Sequence, residues 1–124
     1  MKNKLDDSRP IYLQIKEQLE NDIMNGSLQA DERIPSTNEF AQFYKINPAT
    51  AAKGINELVA ENILYKKRGV GMFVAEEAKT ILIKKRKQTF YEDYMKPLKR
   101  EAENLGLGLN ELVEMIKGGE SDEN

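Results

Sequence analysis

The sequence contains no cysteine, no histidine and no tryptophan among its 124 residues. Without cysteine there is no disulfide framework and no thiolate metal site, and without histidine the usual ligands of zinc and iron are missing. Neither residue is available as a catalytic group, and no paired carboxylates are expected in a cleft, so an enzyme is not predicted. We also expect no cofactor and no bound metal.

Net charge and long hydrophobic runs are also scarce. The chain has 19 basic and 21 acidic residues, a formal net charge of −2, so it is not a generally basic nucleic-acid binder. No apolar run approaches the roughly 18 residues of a membrane span, and nothing resembles a signal peptide. The sequence therefore predicts a cytoplasmic protein with no membrane partner, in which positive charge for binding is local.

Two short helices joined by a tight turn are predicted from Ser36 onward. Ser36 followed by Glu39 is a capping box, in which each side chain bonds the backbone N–H of the other residue. Asn47 can cap the second helix, and Pro48 fits its first position, where no N–H is required. The second helix has an inward apolar face at helical spacing, made of Ala51, Ile55, Leu58 and Val59. Its other face carries Ala49, Lys53, Asn56 and Glu57.

A glycine-tipped hairpin is predicted after the second helix. Residues 63–67 and 72–75 are β-prone, and Arg68–Gly71 joins them. The glycines permit positive φ and close approach to a ligand. A helix-turn-helix followed by such a hairpin is a winged helix-turn-helix, which lays its second helix in the DNA major groove. Lys66 and Lys67 alternate faces of the hairpin strand, so only one of them is expected to reach DNA.

A supporting helix is predicted before these elements. Pro10 opens it, and Gly26 ends it as a C′ glycine. Its buried stripe contains Tyr12, Ile15, Leu19 and Ile23, where a core role for Tyr12 is favoured over DNA contact. Residues 1–9 are expected to form a flexible arm, with phosphate contact by its basic residues as the alternative. Residues 26–34 are predicted to be a linker, with Leu28 and Ile34 packing back on the domain.

The region after Ala75 is predicted to form two amphipathic helices and an acidic end. The first should kink near Pro97, and the second should end at Gly118–Gly119. Their apolar stripes lack enough of their own chain to cover them, so a second copy is favoured over folding back on the first domain. The predicted dimerisation residues are Tyr91, Tyr94, Met95, Leu98, Ala102, Leu105, Leu109, Leu112, Val113 and Ile116. The charge run Lys84–Lys87 is favoured as a solvated face over a phosphate clamp.

The first part of the chain resembles the GntR family of bacterial transcription regulators. The matching residues are Pro10-Ile11-Tyr12, Gln14-Ile15, Gly26, Leu28, Pro35-Ser36, Phe40-Ala41, Asn47-Pro48, Thr50, Leu58 and Gly69 to Val74. The resemblance implies a winged helix-turn-helix that binds operator DNA. The short tail is similar to the YtrA-like branch, which dimerises through its tail and has no separate effector domain. The sequence departs from the family at Asn38 and Ala52, where arginine is usual.

Together these patterns predict an α+β, mainly helical chain. Residues 10–75 would form the winged helix-turn-helix, 76–119 a two-helix dimerisation tail, and 120–124 an acidic end. The expected function is that of a repressor that binds an inverted-repeat operator in double-stranded DNA as a homodimer. A winged helix that binds protein and not DNA is the alternative, and the sequence identifies no small-molecule effector.

The predicted DNA-binding residues fall in three groups. Those at the first helix, the second helix and the wing are Ser36, Thr37 and Asn38; Asn47, Pro48, Ala49, Thr50 and Lys53; and Lys66, Arg68, Gly69, Val70 and Gly71. For Thr50, a phosphate contact and a local backbone bond are both open. For Lys53, a DNA contact is favoured over a solvated lysine.

Overall fold

The structure is a computed structural model that describes the backbone of residues 5–122 and the side chains of residues 5–118. The described chain is mainly helical and carries a small antiparallel sheet, as the sequence predicts. The elements in order are α1 (Ile11–Met24), α2 (Thr37–Tyr44), α3 (Pro48–Ala60), β1 (Leu64–Lys67), β2 (Gly71–Val74), α4 (Ala78–Phe90), a π-helical turn (Tyr91–Met95), α5 (Lys96–Leu105) and α6 (Leu109–Asp122). No described helix is both long and apolar enough to cross a membrane.

The chain divides into two compact units, and the first ends at Lys84. The first unit extends beyond Ala75, where the sequence pattern placed its end. The reason is that Ala78 and Leu82, in the first part of α4, are fully buried in the core of this unit. The sequence pattern predicts a helix after Ala75, but it does not show what the first turns of that helix pack against.

The core of the first unit forms where α1, α2, α3 and the sheet meet. The apolar stripes predicted for α1 and α3 are buried as expected, except that Tyr12 and Val59 are only half-buried. Full burial of one such side chain stabilises the fold by about 1.5–3 kcal/mol. The largest fully buried side chains are Phe40, Ile15, Leu19, Ile34, Ile55, Leu58, Ile63, Leu64, Leu82 and Val74.

The segment Asp31–Ile34, predicted to be a linker, pairs with the hairpin. It runs antiparallel to β2 and is joined to it by three backbone hydrogen bonds of 2.7–3.0 Å. Arg33 lies directly opposite Phe73, and the Ile34 side chain is buried in the core. A left-handed residue at Asp31 (φ 65°) turns the chain into this path. The inward packing of Ile34 is as predicted, but the pairing with β2 was not predicted, because a partner strand for so short a segment exists only in the folded chain.

The second unit is helical throughout its described backbone, apart from the turn between α5 and α6. The irregularity predicted near Pro97 takes the form of the π-helical turn just before it, where the Lys96 N–H donates to the Tyr91 carbonyl. Proline lacks the N–H that would continue the α-helical pattern. Gly106 adopts a left-handed conformation (φ 71°) and ends α5.

Two predicted ends differ from the structure. We expected α6 to end at Gly118–Gly119, but it continues to Asp122, because glycine costs a helix only about 1 kcal/mol and does not block it. Residues 120–122 of the predicted acidic end are therefore helical, and residues 123 and 124 lie outside the described residues.

In the predicted flexible arm, the Asp6 N–H donates to Gln14 and Arg9 pairs with Glu17 at 2.6 Å. Residues 1–4 lie outside the described residues.

Candidate nucleic-acid interface

Helix α2 begins with the capping box that the sequence predicts. The Glu39 N–H donates to Ser36 Oγ at 3.1 Å, and the Ser36 N–H donates to Glu39 Oε1 at 2.7 Å. The bond from the Ser36 N–H favours the charged carboxylate and, with a smaller contribution from the Ser36 hydroxyl, holds the pKa of Glu39 below its ordinary value. The first turn of α2, which carries Thr37 and Asn38, therefore has a fixed starting point.

The turn between α2 and α3 is equally well defined. Lys45 adopts the left-handed conformation (φ 57°), and the Ile46 N–H donates to the Ala41 carbonyl at 3.0 Å. The Asn47 side chain then accepts the Ala49 N–H at 2.8 Å, with Pro48 in the first helical turn. These bonds set where α3 begins and leave its small N-terminal residues Pro48 and Ala49 exposed.

An open groove lies beside this turn. Its lining residues are Asn38, Ala41, Gln42, Ile46 and Pro48, and its volume is about 480 Å³. It brings the start of α2 next to the start of α3. Of the residues predicted to bind DNA, Asn38 and Pro48 are thus neighbours across the groove.

Helix α3 crosses α1 at a point where only glycine fits. A β-carbon on Gly54 would lie 2.6 Å from the Tyr12 carbonyl oxygen. Lys16 of α1 is also buried beside α3, and its Nζ lies 3.2 Å from Glu57 and 2.5 Å from Glu61. Burial alone would lower the pKa of Lys16, but the hydrogen bonds to the two carboxylates outweigh it and raise the pKa. Backbone contact and an ion-pair network therefore fix α3 on α1.

The outer face of α3 differs in one respect from the sequence pattern. Ala49, Lys53 and Asn56 are exposed, but Glu57 is half-buried because it pairs with Lys16. Thr50 is half-buried, and its hydroxyl makes no hydrogen bond within the described part of the chain. Of the two roles open to Thr50, the local backbone bond is therefore not formed in this structure.

Lys53 is held in place by an aromatic ring. Its ammonium lies 4.0 Å from the centre of the Tyr12 ring, a cation–π contact. Tyr12 is half-buried, so it is neither a fully buried core residue nor a free surface residue. The half-buried ring therefore restricts the position of the Lys53 ammonium.

The wing is the hairpin β1–β2. Its register pairs Leu64 with Val74 and Lys67 with Gly71. The tip contains two glycines in the left-handed region, Gly69 (φ 77°) and Gly71 (φ 144°), which supports the glycine requirement predicted from the sequence. Val70 between them is largely exposed.

The two faces of the hairpin carry different side chains. Leu64 and Val74 face the core, and on the other face the Tyr65 and Phe73 rings stack 5.6 Å apart. The Lys67 ammonium lies 4.7 Å from the centre of the Phe73 ring. Lys66 is exposed and has no ion-pair or ring partner within the described residues. Of the two lysines, Lys67 is the one tied to a neighbouring ring.

Arg33 is a basic residue at the wing that the sequence pattern did not identify. Its Nε–H donates to the carbonyl oxygen of Val70 at the wing tip, over 3.2 Å. The available signal was a lone arginine just before Ile34-Pro35-Ser36, which we assigned to a linker. Only the pairing of that segment with β2 brings Arg33 to the tip.

The predicted dimerisation residues all lie in the second unit. Seven are exposed in the isolated chain, namely Tyr91, Tyr94, Leu98, Leu105, Leu109, Val113 and Ile116. Met95 and Leu112 are half-buried. Ala102 differs from the expectation, because it is already buried within the chain. Two large exposed side chains that were not predicted, Phe90 and Met115, extend the apolar surface.

Comparison with known proteins identifies relatives of this architecture. Residues 11–74 match the family model described as bacterial regulatory proteins, gntR family. The HTH-type transcriptional repressor YtrA of Bacillus subtilis is 36% identical over 110 residues, which is 89% of this chain and 84% of YtrA. A solved structure of a GntR-family regulator from Bacteroides thetaiotaomicron has a TM-score of 0.76 at 32% identity, covering 92% of this chain and 99% of that one.

A DNA-bound structure is also among the similar ones. The DNA-binding domain of AraR in complex with operator ORX1 is 34% identical with a TM-score of 0.52, covering 60% of this chain and 92% of that domain. The family match spans the elements from α1 to β2, and similarity to YtrA continues into the tail. This chain therefore belongs to the GntR family of bacterial regulatory proteins.

Proposed function

We propose that this chain is a sequence-specific, DNA-binding transcriptional repressor that occupies an inverted-repeat operator as a homodimer. The observation that carries the proposal is the exposed N-terminal part of α3, where Pro48 and Ala49 are small and Lys53 supplies charge. A helix of this kind can enter the major groove, where base pairs are distinguishable. The AraR DNA-binding domain, similar in fold and sequence, forms a complex with an operator, and this supports DNA binding by the present chain.

Each group of side chains has a place in this proposal. Ser36, Thr37 and Asn38 lie near the DNA backbone, and Asn47 to Thr50 with Lys53 face the major groove. Lys66 and Arg68–Gly71 lie against the adjacent minor groove, where the two tip glycines allow close approach. Phosphate contacts fix orientation, and base-edge contacts from α3 supply sequence preference.

The second unit provides the second half of the proposal. Its large apolar side chains are exposed in a single chain, and burying them against another copy would stabilise a dimer. A two-fold dimer matches an operator whose half-sites are inverted and lie about 34–36 Å or somewhat more apart. Occupancy of such a site by a dimer blocks RNA polymerase, and the repressor YtrA, similar over most of its length, supports that outcome. A regulator of this kind acts in the cytoplasm.

The test is binding to duplexes selected from a random pool. Wild-type protein should enrich an inverted repeat and shift it as a complex of two chains per duplex. Substituting Lys53 by alanine should weaken the shift, whereas an alanine at the exposed residue Lys79, outside all three DNA-binding groups, should leave it unchanged. Failure to enrich any duplex above competitor DNA would favour the alternative, a winged helix that binds protein.

A further inference from the structure

Arg33 is carried to the wing by backbone pairing. The segment Asp31–Ile34 is hydrogen-bonded along β2, and Arg33 is the residue opposite Phe73. Residues opposite each other in an antiparallel pair project from the same face of the sheet. Arg33 therefore shares the outer face of the hairpin with Phe73, Tyr65 and Lys67.

The Arg33 side chain reaches along this face to the tip. Its Nε–H donates to the Val70 carbonyl, and the guanidinium lies against Gly71. A β-carbon at position 71 would be 2.7 Å from Arg33 Nε, closer than such atoms can approach. The φ of 144° favours glycine at position 71, and a side chain there would also displace the Arg33 guanidinium from its place against the wing tip.

The remaining nitrogens of Arg33 are available for a ligand. Within the described residues, neither terminal nitrogen donates a hydrogen bond and no carboxylate lies within ion-pair distance. A planar guanidinium fixed at Nε presents its two outer N–H groups in a defined direction, which suits an acidic oxygen of DNA. The residue is exposed, so these groups face solvent.

We propose that Arg33 is a DNA-contacting residue of the wing, which binds the duplex through its terminal nitrogens while its Nε–H holds the tip. This inference rests on the DNA-binding function proposed above. The family usually carries arginines at the positions of Asn38 and Ala52, and this chain lacks both. Arg33 adds an arginine to the same DNA-binding surface. Arg33 supplies its guanidinium from outside the helix-turn-helix and beside Arg68.

The experiment measures affinity for the duplex selected by wild-type protein, at several salt concentrations. Arg33→Ala should weaken binding at least about fivefold, with a salt slope lower by about one if the contact is a phosphate. The same loss with an unchanged slope would assign the contact to a base edge in the groove. Arg33→Lys keeps the charge but lacks the Nε–H, so it should restore the slope and only part of the affinity.

A double-variant cycle tests the role of Gly71. Gly71→Ala displaces the same guanidinium, so Gly71→Ala in an Arg33→Ala background should weaken binding much less than in wild type. Thermal unfolding of each variant separates loss of contact from loss of fold. Fully additive losses in folded proteins would overturn the coupling between the two residues.

Lys79→Ala is the matched control. It removes the same charge from the first unit, at an exposed position outside all three predicted DNA-binding groups. If it weakened binding as much as Arg33→Ala, the effect would be one of net charge, and the inference would be overturned. If wild type bound the duplex and Arg33→Ala bound it equally well, this inference would be overturned and the proposed function would stand. Absence of any wild-type binding would overturn the proposed function and this inference with it.

Discussion

Gly54 of α3 lies so close to Tyr12 of α1 that a β-carbon on the glycine would be 2.6 Å from the tyrosine carbonyl oxygen. A backbone atom cannot move aside as a side chain can, so Gly54→Ala must separate the two helices. We expect a net loss of about 1–3 kcal/mol in the free energy of unfolding, measured by urea titration. Operator affinity should also fall, because α3 is displaced.

Gly118→Ala provides the control for that substitution. Gly118 is also helical, and a β-carbon there would meet nothing within 4 Å. Alanine at this position should therefore be neutral or stabilising by up to about 1 kcal/mol. If Gly54→Ala were as stable as Gly118→Ala, the close helix crossing would not exist in solution.

Lys16 pairs with Glu57 of α3 and with Glu61, the residue at the C-terminal end of α3. Replacement by methionine removes the ammonium that both carboxylates contact. Because both glutamates are about one-third exposed, solvent screens part of the cost, and we expect a loss of about 1–2 kcal/mol. The triple variant Lys16→Met/Glu57→Gln/Glu61→Gln should recover most of it in the same urea titration. No recovery would mean that Lys16 acts through packing alone.

The same ion-pair network predicts a pH dependence. The folded-state pKa of Lys16 is raised above 10.5, so its contribution to stability is present below that pH and is lost as pH rises through the folded value. The difference in urea midpoint between wild type and Lys16→Met should therefore be constant around neutral pH and should decrease only in strong alkali. A difference that shrank between about pH 6 and pH 8 would contradict this assignment.

The capping box of α2 should respond to acid. The pKa of Glu39 is lowered in the folded state. Its contribution to stability is therefore present above pH 4.5 and is lost as the pH falls through the folded-state pKa. Glu39→Gln keeps an acceptor for the Ser36 N–H but does not titrate. The stability difference between the two proteins should thus narrow or change sign below pH 4.5 in urea titrations. A difference independent of pH would show that Glu39 does not bond Ser36 in solution.

Tyr12 should influence DNA binding only through Lys53. Lys53→Ala is expected to weaken operator binding by about 1–3 kcal/mol if the ammonium bonds a base, or to flatten the salt slope if it holds a phosphate. Tyr12→Leu removes the ring under the ammonium and should cost less, about 0.5–1 kcal/mol in wild type and close to nothing in Lys53→Ala. Tyr12→Phe retains the ring and serves as the control in the same binding titrations.

The dimer predicted for the second unit can be tested by placing charged residues on its exposed apolar surface. Leu109→Glu/Ile116→Glu places two negative charges on exposed apolar positions of α6 and should produce a monomer in sedimentation, with operator affinity at least about tenfold lower. Asn110→Glu/Lys117→Gln changes net charge by the same amount at exposed polar positions and should remain dimeric. A dimer that survives the first pair would place the interface elsewhere.

Much of the site follows from neighbouring residues. The capping box at Ser36, the Asn47 cap with Pro48 and the glycine tip of the wing involve residues that are close in sequence. Their hydrogen bonds and φ angles are decided within one turn, so a sequence pattern can predict them. The periodic burial of α1 and α3 is predictable for the same reason, since helix geometry alone sets which positions share a face.

The tertiary structure decided what depends on distant pairs. Arg33 meets Val70, Lys16 meets Glu57, and Leu82 enters the first core only after chain segments far apart in sequence have packed. Composition and spacing carry no record of which distant side chains meet. The sequence by itself determined the family, the winged helix-turn-helix and its local caps. Packing determined the cation at the wing tip, the fixed position of Lys53 and the extent of the first unit.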